Sequence, residues 1–383
     1  MIRPMSQFVL LLEAQKNLRL NVPRDVKDLH KLFKKNKKVL HIVGGAVRDA
    51  LLGKKPKDFD LATDAHPDEV VSILRAGGFD TIGEVGQQFG VVIAKTPSFR
   101  EGIEIATFRE DIGKGRRPDG VEYSTIDVDV KRRDLTINAL FYDIEKEEVV
   151  DLVGGVADLQ NGHIRTVGNP ADRFDEDPLR KLRALRFAGR TNSKLEKETA
   201  DAIKKDNSLK GVSSERIHDE FKKSIVSAKS PKFYLEMVDE FKLWDIMFPG
   251  ININKKYVDL KSWELQIAQL FKDNETEDIK KKLNKMSFSN DEIEGIVFLK
   301  QFLSISPETA FDLSKKWAIT KLDKRTLLNF SKINNINTRM AKAFLKYKPS
   351  TDGRDVMKKF GVKGADLGLK IKELEADKFR EMI

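Results

Sequence analysis

Strand-like and helix-like patterns are segregated along this 383-residue chain, and that division limits its possible folds more than any other feature. From Val39 to about Leu159, short apolar runs alternate with glycine. Val39–Val43, Val91–Lys95, Ile103–Phe108 and Ala139–Asp143 read as strands bounded by Gly, Pro and Asp. Between them Ala46–Leu52, Pro67–Ala76 and Leu135–Leu140 read as short helices or helix starts. After Asn169 the strand signals stop and long helical patterns run to the C-terminus. Strands followed by helices, rather than interleaved with them throughout, predict an α+β chain whose sheet lies in an N-terminal head. Residues 1–38 read as a helical, Lys-rich extension that ends in Lys34-Lys35-Asn36-Lys37-Lys38.

Composition sharpens this. The absence of cysteine excludes disulfides, thiolate metal sites and cysteine nucleophiles. No run approaches about 18 apolar residues, and the burst Phe8–Leu12 is too short for a signal-peptide core, so a cytoplasmic protein without membrane partners is expected. The net charge of +10 is unevenly placed: residues 1–280 hold 48 basic and 47 acidic side chains, residues 281–383 hold 22 and 13. Lys321, Lys324, Arg325, Lys332, Arg339, Lys342, Lys346 and Lys348 stand against Asp323 alone in residues 321–350. A basic C-terminal region points to a polyanionic partner such as nucleic acid, against the simpler reading of a solvated basic surface.

The head carries the chemistry. His41-Ile42-Val43-Gly44-Gly45-Ala46-Val47-Arg48-Asp49 runs from a strand through two glycines into a helix start. Such a turn lets backbone N–H groups approach a phosphate, with Arg48 as a further donor. Neither GK[ST] nor G-x-G-x-x-G is present. In Asp58-Phe59-Asp60, carboxylates at i and i+2 of a strand share a face and repel each other unless a cation joins them, and Mg²⁺ suits an all-oxygen site. Glu104, in an alternating strand pattern, is a third acidic candidate. Lys131-Arg132-Arg133-Asp134 leads to Asn138, with Asp134 placed to cap a helix. Glu176-Asp177-Pro178-Leu179-Arg180 reads as the first turn of another helix, on which Asp177 and Arg180 share a face. Arg183 and Arg186 follow at three-residue steps of about 60° backward rotation, which leaves Arg186 nearly opposite Asp177. Between Arg109 and Asp129 lies Glu110-Asp111-Ile112-Gly113-Lys114-Gly115-Arg116-Arg117-Pro118-Asp119-Gly120, which reads as a mobile loop. His218-Asp219 invites a phosphohydrolase reading, but no His follows position 218 to complete that ligand set.

Taken in order, Gly44-Gly45-Ala46-Val47-Arg48-Asp49, Asp58-Phe59-Asp60, Arg132-Arg133-Asp134-Leu135-Thr136-Ile137-Asn138-Ala139 and Glu176-Asp177-Pro178-Leu179-Arg180 resemble the class II tRNA nucleotidyltransferases. That family comprises CCA-adding enzymes and bacterial poly(A) polymerases within the polymerase-β superfamily. The matched stretch runs from about Val39 to Phe221, where Ser214–Phe221 resembles the family's last motif. The resemblance implies a polymerase-β-like head with a mixed sheet (39–158), a helical neck (159–228), a body (229–300) and a basic tail (301–383). It implies attack of an RNA 3′-OH on the α-phosphate of CTP or ATP, with two Mg²⁺ ions held by Asp58 and Asp60; Glu104 joins the catalytic candidates from its own strand pattern, against the reading of an exposed strand residue. Gly44, Gly45, Arg48, Arg132, Arg133, Asp134, Asn138, Asp177, Arg180, Arg183 and Arg186 are then nucleotide-binding. One of Arg132 and Arg133 reaches the triphosphate, Asp134 the sugar hydroxyl, and Asp177 with Arg180 the base. The tail lysines and arginines hold tRNA, between acceptor end and elbow, in a monomer or homodimer. The loop after Arg109 argues for complete CCA addition over CC addition. Poly(A) synthesis shares every head motif, and a non-catalytic RNA-binding protein is the alternative from another class.

Overall fold

The computed structural model describes residues 20–82, 90–112 and 120–383. The chain folds as two compact units that divide between Gly211 and Val212.

The first unit is built on a seven-stranded sheet. Its strands are β1 (Leu40–Val43), β2 (Asp60–Thr63), β3 (Thr81–Ile82), β4 (Val91–Ala94), β5 (Ile103–Thr107), β8 (Phe141–Asp143) and β9 (Glu148–Val150), ordered β3-β4-β5-β2-β1-β8-β9. Strands β2 and β5 run parallel and the other neighbours antiparallel, so the sheet is mixed. Strands β6 (Arg109–Ile112) and β7 (Gly120–Tyr123) form a separate hairpin, so both ends of the expected loop, Glu110–Ile112 and Gly120, are paired strand residues, and residues 113–119 lie outside the described residues.

Register gives the two faces of the sheet different work. Ile42, Leu61, Ile105, Val92 and Tyr142 are paired across the strands and share one face. This face packs under helices α1 (Arg24–Lys35), α2 (Gly45–Leu51) and α3 (Pro67–Ala76), which contribute Val26, Leu29 and Phe33, then Ala46 and Val47, then Val70, Ile73 and Leu74. The opposite face holds a smaller cluster of Val43, Ala62, Phe108, Val130, Ala139, Phe141 and Val167, and carries the acidic residues. Helix α1 therefore belongs to the head, against the expectation of an extension ending at residue 38. Its buried Val26, Leu29 and Phe33 recur at i, i+3 and i+7, the period of a helix with one apolar stripe.

Two local expectations change. No helix forms over Leu135–Leu140 beyond a 3₁₀ turn at Thr136–Asn138, because Leu135 lies in an antiparallel bridge opposite Thr166, with Thr136 N donating to Arg165 O at 3.0 Å and Val167 N to Asp134 O at 3.1 Å. The motif from Glu176 is not one helix but two, α4 (Pro170–Glu176) and α5 (Leu179–Thr191), broken at Asp177-Pro178. Proline excludes the helical region for the residue before it, and Asp177 is extended at φ −147°, ψ 100°. Lys194–Leu195, beyond the point where strand signals stop, also forms a two-residue parallel pairing with His163–Ile164.

The regular elements of the second unit are all helices, the first starting at Ser214 and the last ending at Glu381. The expected neck thus straddles the two units, and the expected body–tail boundary falls inside the helix Asn290–Phe302. Phe298 and Phe302 of that helix pack in tilted and edge-on contact with Trp317 and Phe344 at centroid distances of 5.0–6.1 Å, so body and tail share one aromatic core. His218 is buried against Phe288 at 4.2 Å and lies 3.5 Å from Glu292, a structural setting.

Glu375 is fully buried and accepts bonds from Tyr347 Oη at 2.5 Å, Ser350 N at 3.0 Å, Thr351 N at 2.6 Å and Lys378 Nζ at 3.1 Å. Burial pushes its carboxyl up, but these donors overcome that and bring it down to about 2 from the usual 4.5. A folded-state value below the unfolded one means stability present above pH 4.5 and lost as pH falls toward 2. Glu375→Gln is expected to lower stability by about 1.5–3 kcal/mol at neutral pH, and to flatten the acid limb of the melting temperature between pH 4.5 and 2. Parallel acid limbs in both proteins would contradict the assignment.

Candidate active site

The turn Gly44-Gly45 ends β1. Gly44 has φ +73°, a left-handed value that favours glycine, and its N–H donates to Leu140 O at 2.9 Å. Val43 pairs with Asp60, so the glycine turn and the Asp58–Asp60 segment lie at the same end of the sheet. Asp58 and Asp60 are exposed and flank buried Phe59, the alternation expected of an extended segment. The pairing of Leu61 with Ile105 places Glu104 one step back, beside Asp60 and on its face of the sheet. Asp60 is accordingly held above the usual carboxylate range: incomplete hydration raises it most, then the negative charges of Glu104 and Asp58, with only Arg133 opposing. Among the described residues no three His, Asp or Glu side chains converge on a metal position. Two carboxylates with surplus negative charge do fit Mg²⁺, a cation that takes few protein oxygens and fills its shell with water and phosphate.

Arg132 and Arg133 share one partner. Both are drawn to Asp129, which is 1% exposed: Arg132 Nε at 2.8 Å, Arg133 Nη2 at 2.9 Å. Arg133 also lies over the Phe141 ring at 4.9 Å. Asp129 falls outside the sequence motifs above, although its i, i+3 and i, i+4 spacing to the two arginines is a signal that could have found it. Asp134 does not cap a helix. Its Oδ1 accepts from Leu135 N at 2.8 Å and Asn138 Nδ2 at 3.4 Å, and its Oδ2 accepts from Arg183 Nε and Nη2 at 2.8 and 2.6 Å. Burial raises this carboxyl, yet Arg183 and the other donors leave it below the usual range.

Arg48 is 3% exposed and turned inward, where it bonds Asp49 at 2.8 Å and Asn138; it is not presented to a phosphate. Arg180 pairs with Glu176 at 2.7 Å rather than standing beside Asp177 on a helix face. Asp177, 8% exposed, accepts from Leu179 N at 3.2 Å at the break before α5. Arg186 is 9% exposed, with its guanidinium 4.3 Å from the centre of the Phe187 ring.

In the second unit Lys321, Lys324, Arg325, Lys332, Arg339, Lys342, Lys346 and Lys348 are all exposed. Lys321 pairs with Asp291. Arg339, Lys342 and Lys346 recur at i, i+3 and i+7 along the helix Thr338–Lys346, forming one basic stripe.

Comparison with known proteins accounts for this arrangement. A family described as the poly(A) polymerase head domain matches residues 40–165, and one described as the probable RNA and SrmB-binding site of polymerase A matches residues 193–254. The CCA-adding enzyme of Lactobacillus helveticus is 35% identical over 307 residues, 76% of this chain and 73% of that one. The chain belongs to the tRNA nucleotidyltransferase and poly(A) polymerase family. Other relatives in it carry both names: the CCA-adding enzyme of Ligilactobacillus salivarius is 39% identical over 251 residues, and poly(A) polymerase I of Salmonella typhi 38% over 226. These alignments cover 63% and 55% of this chain but only 59% and 47% of the two relatives, so the chain spans about half the length of these curated relatives. The solved Bacillus stearothermophilus CCA-adding enzyme in complex with CTP matches the fold with a TM-score of 0.69, over 94% of this chain and 93% of that one, at 24% identity. The head is thus the polymerase-β-like head of this family. No helix among the described residues is long and apolar enough to cross a membrane.

Proposed function

We propose that this protein adds CCA to tRNA 3′ ends from CTP and ATP, without a nucleic-acid template and with release of pyrophosphate. The observation that carries the reading is the placement of Asp60 beside Glu104 and next to Asp58, at the sheet end that also holds the glycine turn. A protein that merely binds RNA gains nothing from carboxylates that repel one another and raise the Asp60 carboxyl.

Asp58 and Asp60 would hold two Mg²⁺ ions. When bound, these supply an activated 3′-OH and a counter-charge for the pyrophosphate leaving group. Everything else falls to the chain's own groups. Asp134, fixed by Arg183 and Asn138, accepts a hydrogen bond from the ribose hydroxyl of the incoming nucleotide. Arg132 and Arg133, anchored on Asp129, place positive charge beside the carboxylates, with Arg133 the one felt at Asp60. Asp177 and Arg180 read the base edge. Arg180 exchanges Glu176 for that edge, while Asp177 keeps its bond to Leu179 N. The basic stripe of the second unit takes tRNA phosphates.

The reaction is tested on tRNA transcripts that end at the discriminator base, at C or at CC, each given labelled CTP or ATP alone. Expected are CTP incorporation on the first two and ATP incorporation on the third. Repeated ATP incorporation on all three would establish poly(A) synthesis, the activity named for the Salmonella relative.

Tail binding is tested by neutralisation, because deletion of residues 321–383 would remove Phe330, Phe344 and Phe379 from the core. Changing Arg339, Lys342 and Lys346 to Gln is expected to weaken tRNA binding and to reduce the salt slope by about 0.7–0.9 for each phosphate no longer neutralised. An unchanged slope would make the stripe ordinary solvated surface.

A further inference from the structure

The first unit contains a circuit of ion pairs and hydrogen bonds that begins and ends on α5. Arg190, in its last turn, donates from Nη2 to Asp49 Oδ2 at 2.7 Å. Asp49 Oδ1 accepts from Arg48 Nε at 3.0 Å and Nη2 at 2.8 Å. Arg48 Nη1 donates to Asn138 Oδ1, and Asn138 Nδ2 donates to Asp134 Oδ1 at 3.4 Å. Asp134 Oδ2 closes the circuit on Arg183 at 2.6 Å. At 100° per residue, Arg180, Arg183, Phe187 and Arg190 lie within one sector of about 80°. One helix face therefore presents Arg180 at its first turn and is fastened to the head by the rest of its length. Phe187, 5% exposed, fills the middle of the circuit with the Arg48 guanidinium 5.0 Å from its ring centre.

We propose that Arg190 and Asp49 are positioning residues for nucleotide selection: their ion pair sets the roll of α5, and through Arg48 and Asn138 the placement of Asp134. The inference rests on the assignment of Arg180 to the base and Asp134 to the ribose. The two anchors on α5, Arg183 and Arg190, are seven residues and about 10 Å apart along the helix. With the second removed, α5 pivots on the first, and Arg180 and Asp134 move together. Asp49 and Arg48 are largely withdrawn from water, with side chains 15% and 3% exposed, so a lost partner is not replaced at no cost. The circuit joins positions 141 residues apart, which is why it left no local trace in the sequence.

Arg190→Ala, Arg190→Lys and Asp49→Asn test this in the whole protein. The readouts are KM and kcat for CTP on a tRNA transcript ending at the discriminator base, the CTP-to-UTP and CTP-to-dCTP preferences, and the melting temperature. Arg190→Ala and Asp49→Asn are each expected to raise KM for CTP and to shrink both preferences by about 10–100-fold, as small misplacements of positioned groups do. Arg190→Lys is expected to restore most of both preferences, because Asp49 takes a single Arg190 nitrogen and an ammonium supplies one equally well. Folded alanine and asparagine variants with wild-type KM and preferences would overturn the proposal, as would a lysine variant as impaired as alanine. Should the alanine variant fail to fold, Asp49→Asn and Arg190→Lys decide the matter alone. A wild type indifferent among the four bases would overturn the base-reading role of Arg180 instead, and the CTP-to-dCTP preference would still test the circuit through Asp134.

Discussion

Asp60→Asn is expected to lower the rate of nucleotide incorporation by about 10³-fold or more, the loss of several kcal/mol of charge stabilisation, with tRNA binding nearly unchanged. Asparagine keeps the volume and one oxygen, so the loss reports charge rather than packing. The position tolerates the change structurally, because Asp60 is exposed, begins its strand, and is strained electrostatically by Glu104 and Asp58. Removing that repulsion leaves the fold no worse, which sets this substitution apart from one in the core. Asp58→Ala is expected to have the same effect on rate. Either variant turning over near the wild-type rate with Mg²⁺ would show that these carboxylates do not hold the ions.

The second large effect concerns the base. Cytosine and adenine each offer an amino donor beside a ring-nitrogen acceptor, whereas uracil and guanine offer a carbonyl acceptor beside a ring N–H donor. Ionised Asp177 only accepts and Arg180 only donates, a pair that matches the first pattern and opposes the second. A buried polar group left unpaired costs about 1–3 kcal/mol, so each mismatched contact is expected to reject UTP or GTP by about 5- to 150-fold. Arg180→Ala is expected to weaken both CTP and ATP, and Asp177→Ala to relax the rejection of UTP and GTP, read as ratios of kcat/KM. A double variant with the wild-type order among four triphosphates would remove both residues from base selection. The break at Asp177-Pro178 suits this role: it takes the Asp177 backbone out of the helix, so Asp177 is placed by the extended residue and Arg180 by the first turn of α5.

Much of the site was legible because its signals are local. Gly44-Gly45 after an apolar run, and Asp58 and Asp60 on either side of Phe59, are patterns of two or three residues, and the structure keeps them together. Glu104 was legible as an acidic strand residue, but its place beside Asp60 was not. Glu104 reaches it through the parallel register of β2 and β5, a long-range pairing that sequence spacing does not encode. Some local signals were present but misread. Pro178 marked a helix boundary at Asp177, and the apolar spacing of Val26, Leu29 and Phe33 marked α1 as a packed helix despite its lysines. The inward turn of Arg48 follows from partners far away in sequence, Asn138 among them, and a motif shared with phosphate-binding turns gave no hint of it.

The central claim, that these residues build a CCA tail without a template, is tested most directly by product length. The protein is incubated with Mg²⁺, CTP and ATP together on a tRNA transcript that ends at the discriminator base, and the products are resolved at single-nucleotide resolution. The account predicts a product three nucleotides longer, ending in CCA, with no further extension while both triphosphates remain. An adenosine tail of unlimited length, or no extension at all by protein that binds the transcript, would contradict it.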